Sequence, residues 1–474
     1  MNTVRIETLG CRLNQIESEA AANLFINQNF DVKMEGVTAS SLPDESTILV
    51  IINTCAVTQK AEQKARRLIR LILKKYATAA VLVTGCYAQL SKTEIEKIDK
   101  RIVVLGGQVK SRLARVPQLL QKYNNVFDAD SFIQEIKKEV ISLPVLKTDF
   151  PEDTFKLSAG TMLAHSRASL KIQDGCNNSC SFCTIHIARG HSVSLDVNRA
   201  VERVKVLEET GYDEVVLTTI NIAQYKGEYK KSDGTSEYFD FVHLLQKLLD
   251  ETKGINFRIS SLYPEIVTDD FCKVISNPRV RPHFHISVQS GSNKILGLMN
   301  RRYDSAAVVS ACQKLLNAKP DSFIACDIIT GFPGETDEDF EQTIELCKKC
   351  GFTWIHAFPF SERPGTPACK LKPKIPQSVS GKRAKRLTEL AIKNKIEYIK
   401  RFIGKTLSAV VEKQIASDSP DTYKYHCMTE NFIHCELISK KVLESNKSIE
   451  VEIIEPLSDR IKKGGEIEAL ASAL

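Results

Sequence analysis

No stretch of this 474-residue sequence approaches the roughly 18 consecutive apolar residues of a membrane-spanning helix. The opening segment, Met1-Asn2-Thr3-Val4-Arg5, runs straight into a strand-like pattern and lacks the apolar core of a secretory leader. Internal repeats and low-complexity tracts are missing as well. These absences exclude a helical membrane protein and a repeat architecture, and the expectation is a cytoplasmic protein without a membrane partner. A disulfide framework is not expected. The chain has 14 cysteines, but thiols in a long, unexported protein stay reduced, so this number points to metal. Hydrophobic content of 43% and charged content of 26% are ordinary for a globular chain. The length exceeds one compact core, which predicts two or three domains. A net charge of +7 permits a polyanionic partner without requiring one.

Three regions differ in rhythm, and together they predict an α/β fold class. In residues 1–141 the apolar runs Val4–Leu9, Ile48–Asn53 and Ala80–Thr84 alternate with helical stretches, as in a parallel α/β sheet. Residues 142–168, with Pro144 and Pro151, read as a linker. From about 162 to 402, six strand candidates (169–174, 214–220, 256–261, 283–289, 323–330 and 354–360) are separated by helical patterns. Six successive βα units predict a partial (β/α)6 barrel with its chemistry at the strand C-termini. A helical stretch over about 378–402 closes this region. Residues 404–474 carry the strand-like segments Thr406–Glu412, Phe432–Leu437, Ile449–Ile454 and Glu466–Ala471, which predict a small β-barrel of the oligonucleotide-binding kind.

The strongest local signal is Cys176-Asn177-Asn178-Ser179-Cys180-Ser181-Phe182-Cys183, directly after the first barrel strand. Three thiolates so close together can hold one side of a cubane iron–sulfur cluster and leave the fourth iron without a protein ligand. An open coordination position is what catalysis at a metal requires. Zinc is the alternative, with Cys180, Cys183, His186 and His191 at hand, although no second cysteine pair stands at finger or ribbon spacing. This C-x3-C-x2-C pattern with an aromatic before the last cysteine resembles the radical S-adenosylmethionine (SAM) superfamily. The resemblance implies a 4Fe-4S cluster whose free iron chelates SAM and whose electron cleaves it to a 5′-deoxyadenosyl radical. Three strand-end turns fit a SAM pocket: Thr218-Thr219-Ile220-Asn221, Ser287-Val288-Gln289-Ser290-Gly291 and Gly331-Phe332-Pro333-Gly334-Glu335-Thr336. The residues assigned to SAM are Thr219, Asn221, Gln289, Gly331 and Gly334 in these turns and Asp327 in the strand that precedes the last of them.

Cys11, Cys55 and Cys86 are far apart in sequence, yet each ends a predicted strand of the first region. A parallel sheet puts all strand C-termini at one edge, so these thiols can converge. Spacing alone leaves open that they are three buried free cysteines. The segment Thr8-Leu9-Gly10-Cys11-Arg12-Leu13-Asn14-Gln15-Ile16-Glu17-Ser18-Glu19 is similar to the opening of the radical-SAM methylthiotransferases, as are Asn53-Thr54-Cys55 and Thr84-Gly85-Cys86. The three-part order, ending in a TRAM (RNA-binding β-barrel) domain, is similar too. Within that family, the form of the first segment and His356-Ala357-Phe358-Pro359-Phe360-Ser361-Glu362-Arg363-Pro364-Gly365-Thr366 resemble the tRNA threonylcarbamoyladenosine branch.

That resemblance implies two 4Fe-4S clusters, the second on Cys11, Cys55 and Cys86. It also implies methylthio transfer to carbon 2 of the modified adenine beside the anticodon. One SAM would methylate sulfur at the auxiliary cluster, and a second would give the radical that removes the unactivated hydrogen. The implied partners are the tRNA anticodon loop, an electron donor such as flavodoxin or ferredoxin, and a sulfur donor. The chain departs from the family at Thr218-Thr219-Ile220-Asn221, where Thr-Gly-Val-Asn is usual. It departs again at His191-Ser192-Val193-Ser194, where a basic run is usual, and at Met428-Thr429-Glu430-Asn431 in the last region. Rival readings keep the chemistry but change the target to isopentenyladenosine in tRNA or a ribosomal-protein aspartate. A rival of another class is a non-catalytic, metal-stabilised RNA-binding protein.

Positive charge is concentrated in two runs. Residues 372–401 have ten Lys and Arg against two Glu, and Lys60, Lys64, Arg66, Arg67, Arg70, Lys74 and Lys75 follow Cys55. Such runs neutralise phosphates or form solvated helix faces. From Gly404 onward nine basic residues face twelve acidic ones, so the presumed RNA-binding barrel is net negative. RNA contacts are therefore expected from Lys382, Arg383, Lys385 and Arg386 by charge, and from Tyr423, Tyr425 and Phe432 by stacking. Cys347-Lys348-Lys349-Cys350 and the remaining cysteines read as packing residues.

Overall fold

The computed structural model describes residues 2–123, 127–143, 153–157, 167–417 and 421–474. Most of the expected linker, with Pro144 and Pro151, and the expected domain start at 162 lie outside the described residues. The chain divides into two compact units. One comprises Met1–Ala164, Lys171–Leu195 and Ser361–Thr366; the other comprises His165–Leu170, Asp196–Phe360 and Pro367–Leu474.

In the first unit, β1 (Thr3–Thr8), β2 (Asp31–Lys33), β3 (Thr47–Thr54), β4 (Ala80–Gly85) and β5 (Ile102–Gly106) form a parallel sheet in the order β2-β1-β3-β4-β5. Every residue of β3 and β4 is buried, because apolar side chains pack on both faces of a parallel sheet. Two separate apolar clusters result, one around Val4, Phe25, Leu49 and Phe132, the other around Val50, Ile69, Val81 and Tyr87. The short strands β2 and β5 were not anticipated from the sequence.

Helix α1 (Arg12–Ile26) follows β1, α2 (Gln59–Lys75) follows β3, and α3 (Cys86–Leu90) follows β4. Thr58 caps α2 by accepting from the Ala61 amide at 3.1 Å. Ala65, Ile69 and Ile72 form its buried stripe, at the spacing an amphipathic helix requires. Helix α1 is different: Asn14, Glu17, Ser18 and Glu19 are buried along with its apolar residues.

The second unit contains the barrel strands. The strand Ala168–Lys171, which crosses from one unit to the other, joins a sheet with Glu214–Thr218 and Asn256–Ile259. Ser261–Leu262, His283–Gln289, Phe323–Thr330 and Trp354–Pro359 continue as a second parallel sheet in sequence order. This is the partial six-unit α/β barrel expected from the sequence.

The C-terminal strands close into a five-stranded barrel. Four of these strands overlap the segments expected from the sequence; the fifth, Tyr423–Thr429, was not expected, because its residues Tyr-Lys-Tyr-His-Cys-Met-Thr show only a weak apolar alternation. Leu407, Val411, Cys427, Leu437, Val451 and Ile453 fill the barrel, and Tyr398, Ile399 and Phe402 at the end of the helix Gln377–Lys400 pack in the same cluster.

Candidate active site

Register brings the first three thiols together. Thr54 of β3 pairs with Gly85 of β4, so the next residues, Cys55 and Cys86, leave the sheet side by side. Thr8 of β1 pairs with Asn53, which puts the turn Leu9-Gly10-Cys11 beside Cys55. A β-carbon on Gly10 would lie 2.9 Å from Cys55 Sγ, and Gly10 has φ of +111°, so only glycine fits this approach. Cys55 and Cys86 are buried while Cys11 is exposed. Burial pushes the Cys55 thiol up to about 11 and raises Cys86 as well, with the neighbouring cysteines adding to the shift at both. Filling the site with a metal cluster therefore requires these thiols to give up protons.

The second thiol set lies on a loop tied at its base. Gln173-Asp174 pairs antiparallel with Val193-Ser194, and the Cys176 amide donates to the Gly190 carbonyl at 3.1 Å. Two sulfurs already receive backbone donors: the Asn178 amide to Cys176 Sγ and the Ile185 amide to Cys183 Sγ, each at 3.4 Å. Such donors favour thiolate over thiol. Asn177 Oδ1 accepts from the Ser192 amide at 2.9 Å and meets His191 Nδ1 at 3.0 Å, so the departure from a basic run here has a local role. Among the described residues, no three His, Cys, Asp or Glu side chains are placed to hold a single metal ion. A cubane has no need of that convergence, because each thiolate binds its own iron. The donor sets fit iron–sulfur clusters.

Within the same unit a buried ion network was not foreseen. Lys110 bonds to Glu17, and Lys171 donates to Glu17 at 3.0 Å and to Asp174 at 3.1 Å. Arg189 donates to Asp174 at 2.8 Å, to Glu17 at 3.2 Å and to Asn14 Oδ1 at 2.8 Å. Asn14 in turn donates to the Leu9 and Thr54 carbonyls, which precede the Gly10-Cys11 turn and Cys55. Burial opposes ionisation of Glu17, but Arg189, Lys110 and Lys171 outweigh it and hold its pKa well below the ordinary value. The sequence signal for this network was the set of polar residues Asn14, Glu17, Ser18 and Glu19 that lies buried among the apolar residues of α1.

The residues assigned to SAM lie in the second unit and have varied surroundings. Thr219 is held by Ser260, whose Oγ accepts its amide at 3.2 Å. Asn221 caps a helical turn by accepting from Ala223 at 3.1 Å. Gln289 ends its strand with φ of +72°. Asp327 Oδ2 lies 2.9 Å from His285 Nε2, and His285 stacks on His356 with centroids 5.2 Å apart. Burial opposes ionisation of Asp327, but His285 outweighs it and keeps the pKa low; burial pushes His356 down to about 4. The two glycines have close neighbours of their own. A β-carbon on Gly331 would sit 1.8 Å from Ser380 Oγ, so close helix packing by itself demands glycine there. Gly334, at φ of +85°, donates its amide to the Pro373 carbonyl.

Four of the seven RNA-contact expectations change or narrow. Tyr425 is 1% exposed inside the C-terminal barrel, where its hydroxyl accepts from the Leu443 amide, and so is not available for base stacking. Phe432 is already stacked on His283, with centroids 3.9 Å apart and the Arg258 guanidinium over its ring. Arg383 is buried and paired with Glu335 and Asp337. Arg386 is exposed but paired with Glu341 at 2.6 Å. Lys382 and Lys385 are exposed, and Tyr423 is half-buried. On α2, Lys60, Lys64, Arg67, Arg70 and Lys74 are exposed along one helical face. Arg66 is bound instead to Tyr87, and Lys75 to the carbonyls of Ala39 and Ser41.

The chain is similar to known proteins over most of its length. The Radical SAM superfamily matches residues 170–347, and the uncharacterized protein family UPF0004 matches residues 3–107. The threonylcarbamoyladenosine tRNA methylthiotransferase MtaB of Treponema pallidum (strain Nichols) is 40% identical, over 96% of this chain and 98% of its own. MtaB of Aquifex aeolicus (strain VF5) is 34% identical over 91% and 95%. The tRNA-2-methylthio-N(6)-dimethylallyladenosine synthase of Ehrlichia ruminantium (strain Welgevonden) is 29% identical over 94% and 97%. Among solved structures, the radical S-adenosylmethionine methyltransferase TsrM from Kitasatospora setae aligns with a TM-score of 0.49 at 12% identity, covering 89% of this chain and 82% of that one. With this identity across nearly the full length of both chains, the protein belongs to the threonylcarbamoyladenosine tRNA methylthiotransferase family of radical SAM enzymes.

Proposed function

We propose that this protein adds a methylthio group to carbon 2 of N6-threonylcarbamoyladenosine beside the tRNA anticodon. One observation carries the reading: two sets of three thiols occupy a single compact unit of a chain 40% identical to a threonylcarbamoyladenosine tRNA methylthiotransferase. Dimethylallyladenosine is less favoured as target, since the relative named for it is 29% identical. When bound, two 4Fe-4S clusters and SAM supply the reductive cleavage, hydrogen abstraction and sulfur transfer that acid–base groups cannot.

The chain's own residues hold and orient. Cys176, Cys180 and Cys183 are the ligands proposed for the radical cluster, supported by the amides aimed at two of these sulfurs. Cys11, Cys55 and Cys86 are those proposed for the auxiliary cluster. Thr219, Asn221, Gln289, Asp327, Gly331 and Gly334 are our SAM contacts, with Asp327 kept as an anion by His285. The tRNA phosphates are assigned to Lys382 and Lys385 and to the α2 face of Lys60, Lys64, Arg67, Arg70 and Lys74, with Tyr423 for stacking. We take residues 1–141, 162–402 and 404–474 as the three functional domains, the last TRAM-like. An electron donor such as flavodoxin or ferredoxin is proposed, and a cytoplasmic location follows from a tRNA substrate and reduced thiols; no helix among the described residues is long and apolar enough to cross a membrane.

Mass spectrometry of tRNA nucleosides from cells lacking the protein tests the assignment. The expected result is loss of 2-methylthio-N6-threonylcarbamoyladenosine with accumulation of its unthiolated precursor. Loss of the methylthiolated dimethylallyladenosine instead would transfer the substrate assignment to the other branch.

A further inference from the structure

Arg189 is fully buried, and two of its three guanidinium nitrogens are occupied by Asp174, Glu17 and Asn14. Its third, Nε, is buried without a hydrogen-bond partner. A buried donor left empty is costly, more so on a charged group, so an unpartnered nitrogen in a crowded network needs a physical reason. The charge balance is also incomplete. Arg189, Lys110 and Lys171 bring three cations to this network against the two carboxylates of Glu17 and Asp174. An excess buried positive charge is stable only beside something negative.

The negative partner is close by. Asn14, held by Arg189, also donates to the Leu9 and Thr54 carbonyls, the backbone that delivers Cys11 and Cys55. Helix Ile185–Arg189, which carries Arg189 at its end, packs against α3, which begins with Cys86.

We propose that Arg189 is a positioning residue for the auxiliary cluster, its surplus charge balancing the thiolates of Cys11, Cys55 and Cys86 and its empty Nε donating to sulfur there. Arg189 follows the Cys176–Cys183 loop in the chain, so one side chain ties the geometry of the radical loop to the electronics of the auxiliary site. A cation and a donor beside an iron–sulfur cluster stabilise its reduced form and raise its potential.

The inference rests on the cluster assignment made above, and the test separates the two. The background is the full chain with Cys176, Cys180 and Cys183 all changed to Ala, reconstituted anaerobically, so that only auxiliary iron remains. Arg189→Gln in this background should lower the midpoint potential of the reconstituted protein, followed by electron paramagnetic resonance during redox titration. Arg189→Lys, which retains charge but loses the Nε donor, should fall between Gln and the parent. A full complement of iron with an unmoved midpoint in both variants would overturn the role of Arg189 alone. No iron in the background protein itself would overturn the auxiliary-cluster assignment and this inference with it. Should Arg189→Gln fail to fold, the Lys variant decides: a lowered midpoint supports the inference, and the parent value refutes it.

Discussion

Arg189 and Asp174 meet at 2.8 Å across the base of the loop that carries Cys176, Cys180 and Cys183. Asp174 also takes Lys171 at 3.1 Å and the Thr154 hydroxyl at 2.8 Å, so every approach to its carboxylate is filled. Removing one partner of such a buried pair leaves uncompensated charge. Asp174→Ala is expected to cost about 3–5 kcal/mol of stability, read from denaturant unfolding of the metal-free protein. Reductive cleavage of SAM should fall with it, because the loop loses its clasp. Stability equal to the parent would mean that Arg189 and Lys171 find other partners.

Anaerobic reconstitution should load about eight iron and eight sulfide per chain, as two cubanes. Changing Cys176, Cys180 and Cys183 to Ala should abolish SAM cleavage and leave about half of that iron. Formation of 5′-deoxyadenosine by this variant would remove the radical-cluster assignment.

A variant lacking Cys11, Cys55 and Cys86 separates the two stages of the reaction. It should still cleave SAM reductively but make no methylthiolated tRNA. Undiminished product would reduce these three cysteines to a structural role.

Charge on α2 and on the helix Gln377–Lys400 is expected to bind phosphate. Changing Lys60, Lys64, Arg67, Arg70 and Lys74 to Gln should weaken tRNA binding and flatten its salt dependence by about 0.9 in log–log slope for each lost phosphate contact, or about 0.7 where the contact is to a single strand. Lys382→Gln with Lys385→Gln should do so by a smaller step. Reductive SAM cleavage without RNA should persist in both. Titrations at several salt concentrations check this; an unchanged slope would make these faces merely solvated.

In the second unit Glu214 is buried among Arg258 at 2.7 Å, Arg281 at 3.0 Å and Arg167 at 3.8 Å. Burial opposes its ionisation, but Arg258 and the other two arginines prevail and press its pKa from 4.5 to about 2. A folded-state pKa below the unfolded one stabilises the protein above the unfolded pKa, and that contribution is lost as pH falls toward 2. The parent should therefore exceed Glu214→Gln by a margin on the order of a few kcal/mol near neutral pH, and the margin should shrink through the acid window. Urea unfolding of the metal-free protein at stepped pH measures it.

What the sequence determined by itself was local or periodic. Three cysteines within eight positions form a compact donor set, because chain length alone confines their thiols. Apolar runs ending at Cys11, Cys55 and Cys86 were enough to put three thiols at one sheet edge, since parallel strands share their C-terminal side. Six strand–helix alternations likewise implied the barrel. Tertiary structure alone decided which polar groups lie inside. Lys171 and Arg189 reach Glu17 across 154 and 172 positions, a separation that no periodicity encodes. The basic stretch 372–401 looked uniformly available until its Arg383 and Lys395 were found buried against Glu335 and Glu468. Tyr425 and Phe432 changed from base-stacking candidates to packing residues for the same reason. Whether a barrel side chain faces core or solvent depends on strand register and on the surface that covers it, and both are set by residues far away in the chain.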